Sequence, residues 1–180
     1  YKSDNDLPGF SDYSMEGRTY RYFKGEALYP FGHGLSYTTF AYSNLKISKA
    51  SFAKGEPVKV TVEVKNTGNY DGKEVVQLYL SAPSKTIDKP KEELKAFGKT
   101  KELKPGESET LTLNLSPKDL ASFLESKSAW VAEAGDYKVL VGASSLDIKE
   151  TVSFKVAKEI TVEKVKKSFT LDTKFTELKP

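Results

Sequence analysis

The chain contains no cysteine. Disulfides, cysteine-built zinc sites and thiol catalysis are therefore excluded. Histidine is nearly as scarce. His33 is the only one, so a serine-hydrolase triad or a histidine metal site would have to be built on that residue alone. No apolar run approaches the ~20 residues that a membrane-spanning helix requires. The polar start, Tyr1-Lys-Ser-Asp-Asn-Asp, lacks the apolar stretch of a signal peptide. The first residue is not Met, so the chain reads as a fragment or a processed product. Charge of one sign is lacking as well. The 28 basic and 25 acidic residues leave +3, dispersed along the chain, which gives no argument for a nucleic-acid partner.

What is present is a foldable, polar composition. The 180 residues suit one domain with extra segments, and the 10 Tyr, 10 Phe and 1 Trp argue against disorder. The composition changes near residue 41. Residues 1–40 carry Tyr1, Phe10, Tyr13, Tyr20, Tyr22, Phe23, Tyr29, Phe31, Tyr37 and Phe40, interleaved with glycine and proline. They follow neither a helical nor a strand period. This reads as an extended segment that packs through aromatic contacts and cannot form a core of its own.

Residues 41–157 read as repeated short strands. Val58-Lys-Val60-Thr-Val62-Glu-Val64 alternates strictly, the mark of a half-buried strand. Residues 74–80 form a strand buried more completely, and 93–103 a charged stretch nearer a sheet edge. Residues 110–115, 136–141 and 151–156 alternate again, with an opening strand near 42–48 and a short one at Trp130-Val131. Asn66–Gly72 and Lys104–Glu107 are turn-rich links. Ser116-Pro117-Lys118-Asp119 predicts one helical turn, with Ser116 as cap and Pro117 at the first helical position. Strands at this spacing, without helices between them, point to an all-β antiparallel sandwich. Its core is expected from Val60, Val62, Leu78, Leu80, Leu113, Val139, Val141 and Phe154, together with Trp130. Residues 158–180 form a tail. Val162, Val165 and Phe169 sit at helical spacing, but Ile160-Thr161-Val162 are strand formers, and the structure of the tail stays open.

Candidate chemistry is sparse. His33 lies in Phe31-Gly-His-Gly-Leu-Ser36, which is not the Gly-x-Ser-x-Gly of a nucleophile elbow; it reads as a loop anchor held by hydrogen bonds. No glycine pattern opens a helix after a strand, so no nucleotide cofactor is expected, nor any other cofactor or metal. Glycoside hydrolysis needs two carboxylates across a cleft. Glu92-Glu93 are neighbours on a charged strand where their side chains diverge, and Asp4, Asp6 and Asp12 lie in the aromatic segment. All read as solvated acids. Tyr70, Tyr79 and Trp130 are the aromatics of the strand region that could stack on a sugar if exposed. Asn114-Leu115-Ser116 is a formal glycosylation acceptor of a kind that occurs by chance.

Two stretches carry a family resemblance. Met15-Glu-Gly-Arg18-Thr-Tyr20-Arg21-Tyr22-Phe23, followed by Leu28-Tyr29-Pro-Phe31-Gly-His33-Gly-Leu35-Ser-Tyr37-Thr-Thr-Phe40, resembles the segment leaving the catalytic body of glycoside hydrolase family 3 enzymes, the β-glucosidases and β-xylosidases. Val64-Lys-Asn66-Thr-Gly68, Gly72–Leu80, Glu93–Phe97, Leu103–Glu107 and Gly135–Ser145 resemble the fibronectin type III-like domain at the C-terminus of those enzymes. The resemblance covers about residues 7–157. It implies residues 1–40 as interdomain linker and end of the catalytic body, 41–157 as the sandwich and 158–180 as the tail. The Gly17–Arg21 form looks somewhat more like the xylosidase-type members.

In that family the nucleophilic aspartate sits on a barrel domain, and the acid/base is usually a glutamate on an α/β domain. Both precede the matched segment, so neither role falls on this chain. No catalytic, substrate-binding or metal residue is expected here. The resemblance implies a non-catalytic C-terminal portion that braces the catalytic body of a parent β-glucosidase or β-xylosidase acting on plant polysaccharide, secreted or periplasmic. Its partners would be the parent's catalytic domains. Arg18, Tyr20, Arg21, Tyr22, Tyr29, Phe31, His33 and Tyr37 are the expected interdomain docking residues, because aromatics without a period need an outside surface and arginines among tyrosines stack and fork well. The alternative is a carbohydrate- or polymer-binding β-sandwich module. Its strands would need a row of outward aromatics, where the sequence offers Lys, Glu and Thr.

Overall fold

The structure, a computed structural model, describes residues 1–52 and 57–166. Among the described residues eleven strands follow one another in this order: β1 Phe40–Ile47, β2 Ser51–Phe52, β3 Val58–Asn66, β4 Val75–Ser81, β5 Glu93–Lys99, β6 Ser108–Leu115, β7 Ser122–Leu124, β8 Ala129–Ala132, β9 Gly135–Gly142, β10 Ile148–Val156 and β11 Ile160–Lys164. They form a three-stranded sheet β1-β3-β6, a five-stranded sheet β2-β10-β9-β4-β5, and a small third sheet β11-β8-β7. Every pairing is antiparallel except the two-residue contact of β2 with β10. The all-β, fibronectin type III-like sandwich expected from the sequence is the fold.

Period-two alternation sets the register. On β3, Val58, Val60, Val62 and Val64 all face inward, and Val58 and Val60 lie opposite Leu115 and Leu113 of β6. From the other sheet, Leu78 and Leu80 lie opposite Val141 and Val139, and Tyr137 lies opposite Phe154. The two sets of side chains meet in one core. Tyr137 and Phe154 stack at 5.2 Å between ring centroids. The Tyr137 hydroxyl donates to Glu133 O at 3.0 Å, which gives the buried phenol the partner it needs.

Eight of the nine expected core residues are buried; Trp130 is not among them. Its strand belongs to the third sheet, and there Ala129, Val131 and Ala132 supply the buried positions. The partly buried indole meets Phe123 edge-on at 5.8 Å and lies 5.3 Å beneath the Lys118 ammonium. The third sheet does reach the core through Ala132 and Ile160, but the indole packs against Phe123 and Lys118 instead.

The cap at Ser116 forms as read. Pro117–Leu120 is a single 3-10 turn in which Ser116 and Asp119 close a reciprocal capping box. The tail contributes β11, which pairs with β8 and sends Ile160 into the core. Phe169 lies outside the described residues.

Asn66, at the end of β3, is fully buried and uses its whole amide. Its Oδ1 accepts from the Thr38 hydroxyl at 2.7 Å and the Gly68 amide at 3.0 Å. Its Nδ2 donates to Tyr70 O and Leu103 O, each at 2.8 Å. One side chain thereby ties the end of the aromatic segment to the first turn-rich link and to Leu103, which leads into the second.

Candidate interdomain docking surface

The clearest departure from simple alternation is β4, where Val76, Gln77, Leu78, Tyr79 and Leu80 are all buried. Val76, Leu78 and Leu80 face the sandwich core. Gln77 and Tyr79 point the other way, so the outer face of the five-stranded sheet has a cover of its own. Residues 20–33 supply it. The Tyr20 ring stacks on Phe31 at 4.1 Å and 12°, and meets Tyr79 edge-on at 6.1 Å. Gln77 Nε2 donates to Gly32 O at 3.0 Å and Ala143 O at 2.6 Å, while its Oε1 accepts the Tyr79 hydroxyl at 2.6 Å. The Ser145 amide donates to Phe31 O at 2.9 Å.

Gly32 is required at this crossing. Its φ of +80° suits only glycine well, and a Cβ there would fall 1.9 Å from Gln77 Oε1. Burial pushes the Tyr79 phenol up, and the Tyr20 phenol and Glu92 push it further. It stays a neutral hydrogen-bond donor.

The edge of the sheet is fastened as well. The Leu94 amide of β5 donates to Tyr20 Oη at 2.8 Å. Arg21 pairs with Glu93, and Glu93 also lies 3.1 Å from Lys95 Nζ. Arg21 Nε is buried and has no hydrogen-bond partner. This stretch is not extended throughout: Thr19–Tyr22 makes one helical turn.

The eight expected docking residues therefore divide. Tyr20, Arg21 and Phe31 face the sandwich, although Phe31 keeps 44% of its surface exposed. Arg18 turns back on its own loop, with Nε donating to Ser14 O at 2.9 Å and Nη2 to Asp12 O. Tyr22 is half-buried beneath the Arg21 guanidinium. Tyr29, His33 and Tyr37 stand outward. The His33 amide closes a turn onto Pro30 O at 3.0 Å, and its ring lies 5.3 Å from Tyr29. The anchor expected of His33 is made by its backbone rather than by its imidazole.

Several outward residues were not among those expected to dock. Phe10, Tyr13 and Leu35 are 98%, 89% and 94% exposed. Phe10 and Tyr13 line a shallow hollow of about 560 Å³ with Leu7, Pro8, Asp12 and Arg18. Leu35 lines a second of about 480 Å³ between residues 32–36 and the start of β4, with Val75 and Lys99 on its far wall. Phe97 on β5 lies beside Gln77 and remains exposed. The signal for the first three was present: each is a large apolar side chain among glycine or polar neighbours in a stretch without period.

The sugar-stacking candidates do not assemble. Tyr70 is exposed, Tyr79 lies beneath Tyr20, and Trp130 packs against Phe123. The acids also differ from expectation. Glu92 is buried, and burial pushes its carboxyl up, with Lys91 partly offsetting that. Glu93 is held between Arg21 and Lys95. Among the described residues no three His, Cys, Asp or Glu side chains gather as a metal site would need.

Known proteins were compared with this geometry. The fibronectin type III-like domain family matches residues 74–145. A thermostable β-glucosidase B of Acetivibrio thermocellus is 40% identical over 157 residues, covering 86% of this chain and 20% of that protein. A xylan 1,4-β-xylosidase of Xylanibacter ruminicola is 40% identical over 147 residues, covering 82% of this chain and 16% of that protein. The crystal structure of a β-glucosidase from Paenibacillus barengoltzii superposes with a TM-score of 0.77 at 37% identity, over 93% of this chain and 20% of that one.

The chain carries the fibronectin type III-like domain of the family 3 glycoside hydrolases. It spans about a fifth of the length of the curated relatives it matches. The match to the Paenibacillus enzyme covers more of the chain than the sandwich alone, so the aromatic segment and the fibronectin type III-like domain recur together. No described helix is long and apolar enough to cross a membrane.

Proposed function

We propose that this chain is the non-catalytic C-terminal portion of a family 3 β-glycosidase, and that it braces the catalytic body of that enzyme. In this reading residues 1–40 run from the body to the sandwich, 41–157 form the brace and 158–180 trail from it, with β11 pinning the start of the tail. The carrying observation is the two-sided segment. Its inner side, Tyr20, Arg21, Phe31 and Gly32, is bonded to the sandwich, while Phe10, Tyr13, Tyr29, Leu35 and Tyr37 face outward. Five large apolar side chains left in water within one short segment suit a surface that covers them. A body seated on those side chains would hold the sandwich through them, since the inner contacts fasten the segment to the sandwich.

The parent would be a secreted or periplasmic β-glucosidase or β-xylosidase. The relatives' names support that class without choosing between the two sugars. Two measurements test the reading. The purified chain should not turn over aryl β-glucosides or β-xylosides; turnover abolished by replacing one acid of this chain would overturn it. Replacing Tyr29 and Tyr37 together by Ser in the intact parent should loosen the sandwich, seen as proteolytic cleavage near residue 40 about tenfold faster. Unchanged cleavage, with cello- or xylo-oligosaccharide binding by the lone chain, would favour the binding-module alternative.

A further inference from the structure

Antiparallel neighbours such as β4 and β5 can be joined by two to five residues. Here residues 82–92 join them, without regular structure, yet their side chains are bonded within the loop and to Glu133. Lys89 Nζ lies 2.7 Å from Glu133 Oε2 and donates to Pro83 O at 2.7 Å. Glu133 Oε1 accepts the Thr86 amide at 2.8 Å and the Thr86 hydroxyl at 2.5 Å. Ser84 Oγ donates to Ile87 O at 2.8 Å and accepts the Lys89 amide at 3.2 Å. The Lys89 and Glu133 side chains are 3% and 5% exposed. Gly135 permits the close approach: at φ +152°, a Cβ would come within 2.7 Å of Pro83 Cγ. Burial by itself would raise the Glu133 carboxyl; the bonds from Lys89 and Thr86 outweigh it and hold the group below its ordinary value.

A buried ion pair adds little stability over apolar side chains of the same volume. It does impose one geometry, because neither partner can be left alone in the interior. The result is a loop of fixed shape whose tip, Ser84, Lys85, Thr86 and Asp88, is exposed. The loop runs into Glu93 and Leu94, the two residues to which Arg21 and Tyr20 are fastened. Loop and aromatic segment therefore meet at the same end of β5.

We propose that the loop 82–92 is a preformed contact surface for the part of the parent glycosidase outside this chain, with Lys89 and Glu133 as the latch that keeps its shape. The inference rests on the reading that the chain is one part of a larger enzyme. The chain spans about a fifth of its relatives, so the partner surface lies in the same polypeptide. The tip offers two hydroxyls and charges of both signs. The contact is accordingly polar and hydrogen-bonded, unlike the aromatic one.

Amide hydrogen exchange tests both halves. The amides of 84–88 should exchange about tenfold more slowly in the intact parent than in this chain alone. Slowing in residues 1–40 without slowing in the loop would overturn the loop contact and leave the brace standing; slowing in neither would overturn both. For the latch, Lys89→Met with Glu133→Leu in the lone chain should leave the unfolding midpoint close to that of the wild type, while exchange at 84–88 quickens about tenfold. Thr86→Val, which removes only a hydroxyl, should quicken the same amides to a smaller extent and guards against a paired variant that fails to fold. Loop exchange unchanged in a folded paired variant, or in Thr86→Val should the pair not fold, would overturn the latch.

Discussion

Tyr137 in the sandwich is fully buried against Phe154, and Tyr37 in the aromatic segment is 96% exposed. The difference lies in what surrounds each ring along the chain. Tyr137, Val139 and Val141 repeat with the period of a strand, so one face collects their burial and the opposite sheet completes it. The aromatics of residues 1–40 have no shared period. Each finds its partner by the path of the chain, and that path brings Tyr20 and Phe31 to the sheet while leaving Tyr29 and Tyr37 outside. Periodic apolar residues close a core within the domain. Aperiodic ones are left partly exposed.

That contrast can be broken at its strong end first. Tyr137→Ala removes a stacked, hydrogen-bonded core ring and should cost ~3–5 kcal/mol in denaturant unfolding. Tyr37→Ala should stay within ~0.5 kcal/mol in the lone chain. Equal losses would mean that the segment belongs to the core.

Gly32→Ala should come next. The clash with Gln77 and the positive φ together cost about 1–3 kcal/mol. The loss should fall on the segment's attachment: limited proteolysis within 1–33 quickens, while the main unfolding transition shifts little. A full shift of that transition would show segment and sandwich to be one cooperative unit. Trp130→Ala should cost about 1–2 kcal/mol, since the ring is only partly buried. A loss as large as that of Tyr137→Ala would place it in the core after all.

The smallest effect is in pH dependence. Burial raises the Glu92 carboxyl. Its favourable share of stability is present in full below the ordinary carboxylate range of ~4.3 and is lost as pH rises through the raised value. Glu92→Gln should therefore be slightly more stable than the wild type at pH 7, the gap closing in acid. Glu133 runs the other way: its carboxyl is depressed, so its share is present at neutral pH and lost as pH falls through the depressed value. Glu133→Gln should lose most at neutral pH. A gap of the same sign at pH 7 for both variants would contradict this assignment.

The sandwich was legible because its signals are local. The valines of β3 name their own face, and Ser116-Pro117 announces its turn. Tyr79 was not, because its cover comes from Tyr20 and Phe31, far upstream; alternation placed it on the outer face and could say nothing of what lies over that face. Trp130 was misplaced because its partners, Phe123 and Lys118, are brought to it by the tertiary fold and leave no mark beside it in the sequence. Glu133 and Lys89 carry no local mark, since an ion pair between distant loops leaves no spacing to read. The residues proposed to dock stand out as a group by composition and resemblance, but the sequence could not divide those that face the sandwich from those that face outward.

The bond from the Leu94 amide to Tyr20 Oη has a consequence for self-association. β5 is the last strand of its sheet, and an open edge invites another chain to add a strand. Tyr20 occupies one of the outward amides there, and the Arg21–Glu93 pair sets charges beside it. The segment is thus also a guard. Cutting it away would leave a sound core with an unprotected border, where Leu94, Phe97 and the uncovered Tyr79 would offer one copy of the sandwich a place to pair with the next.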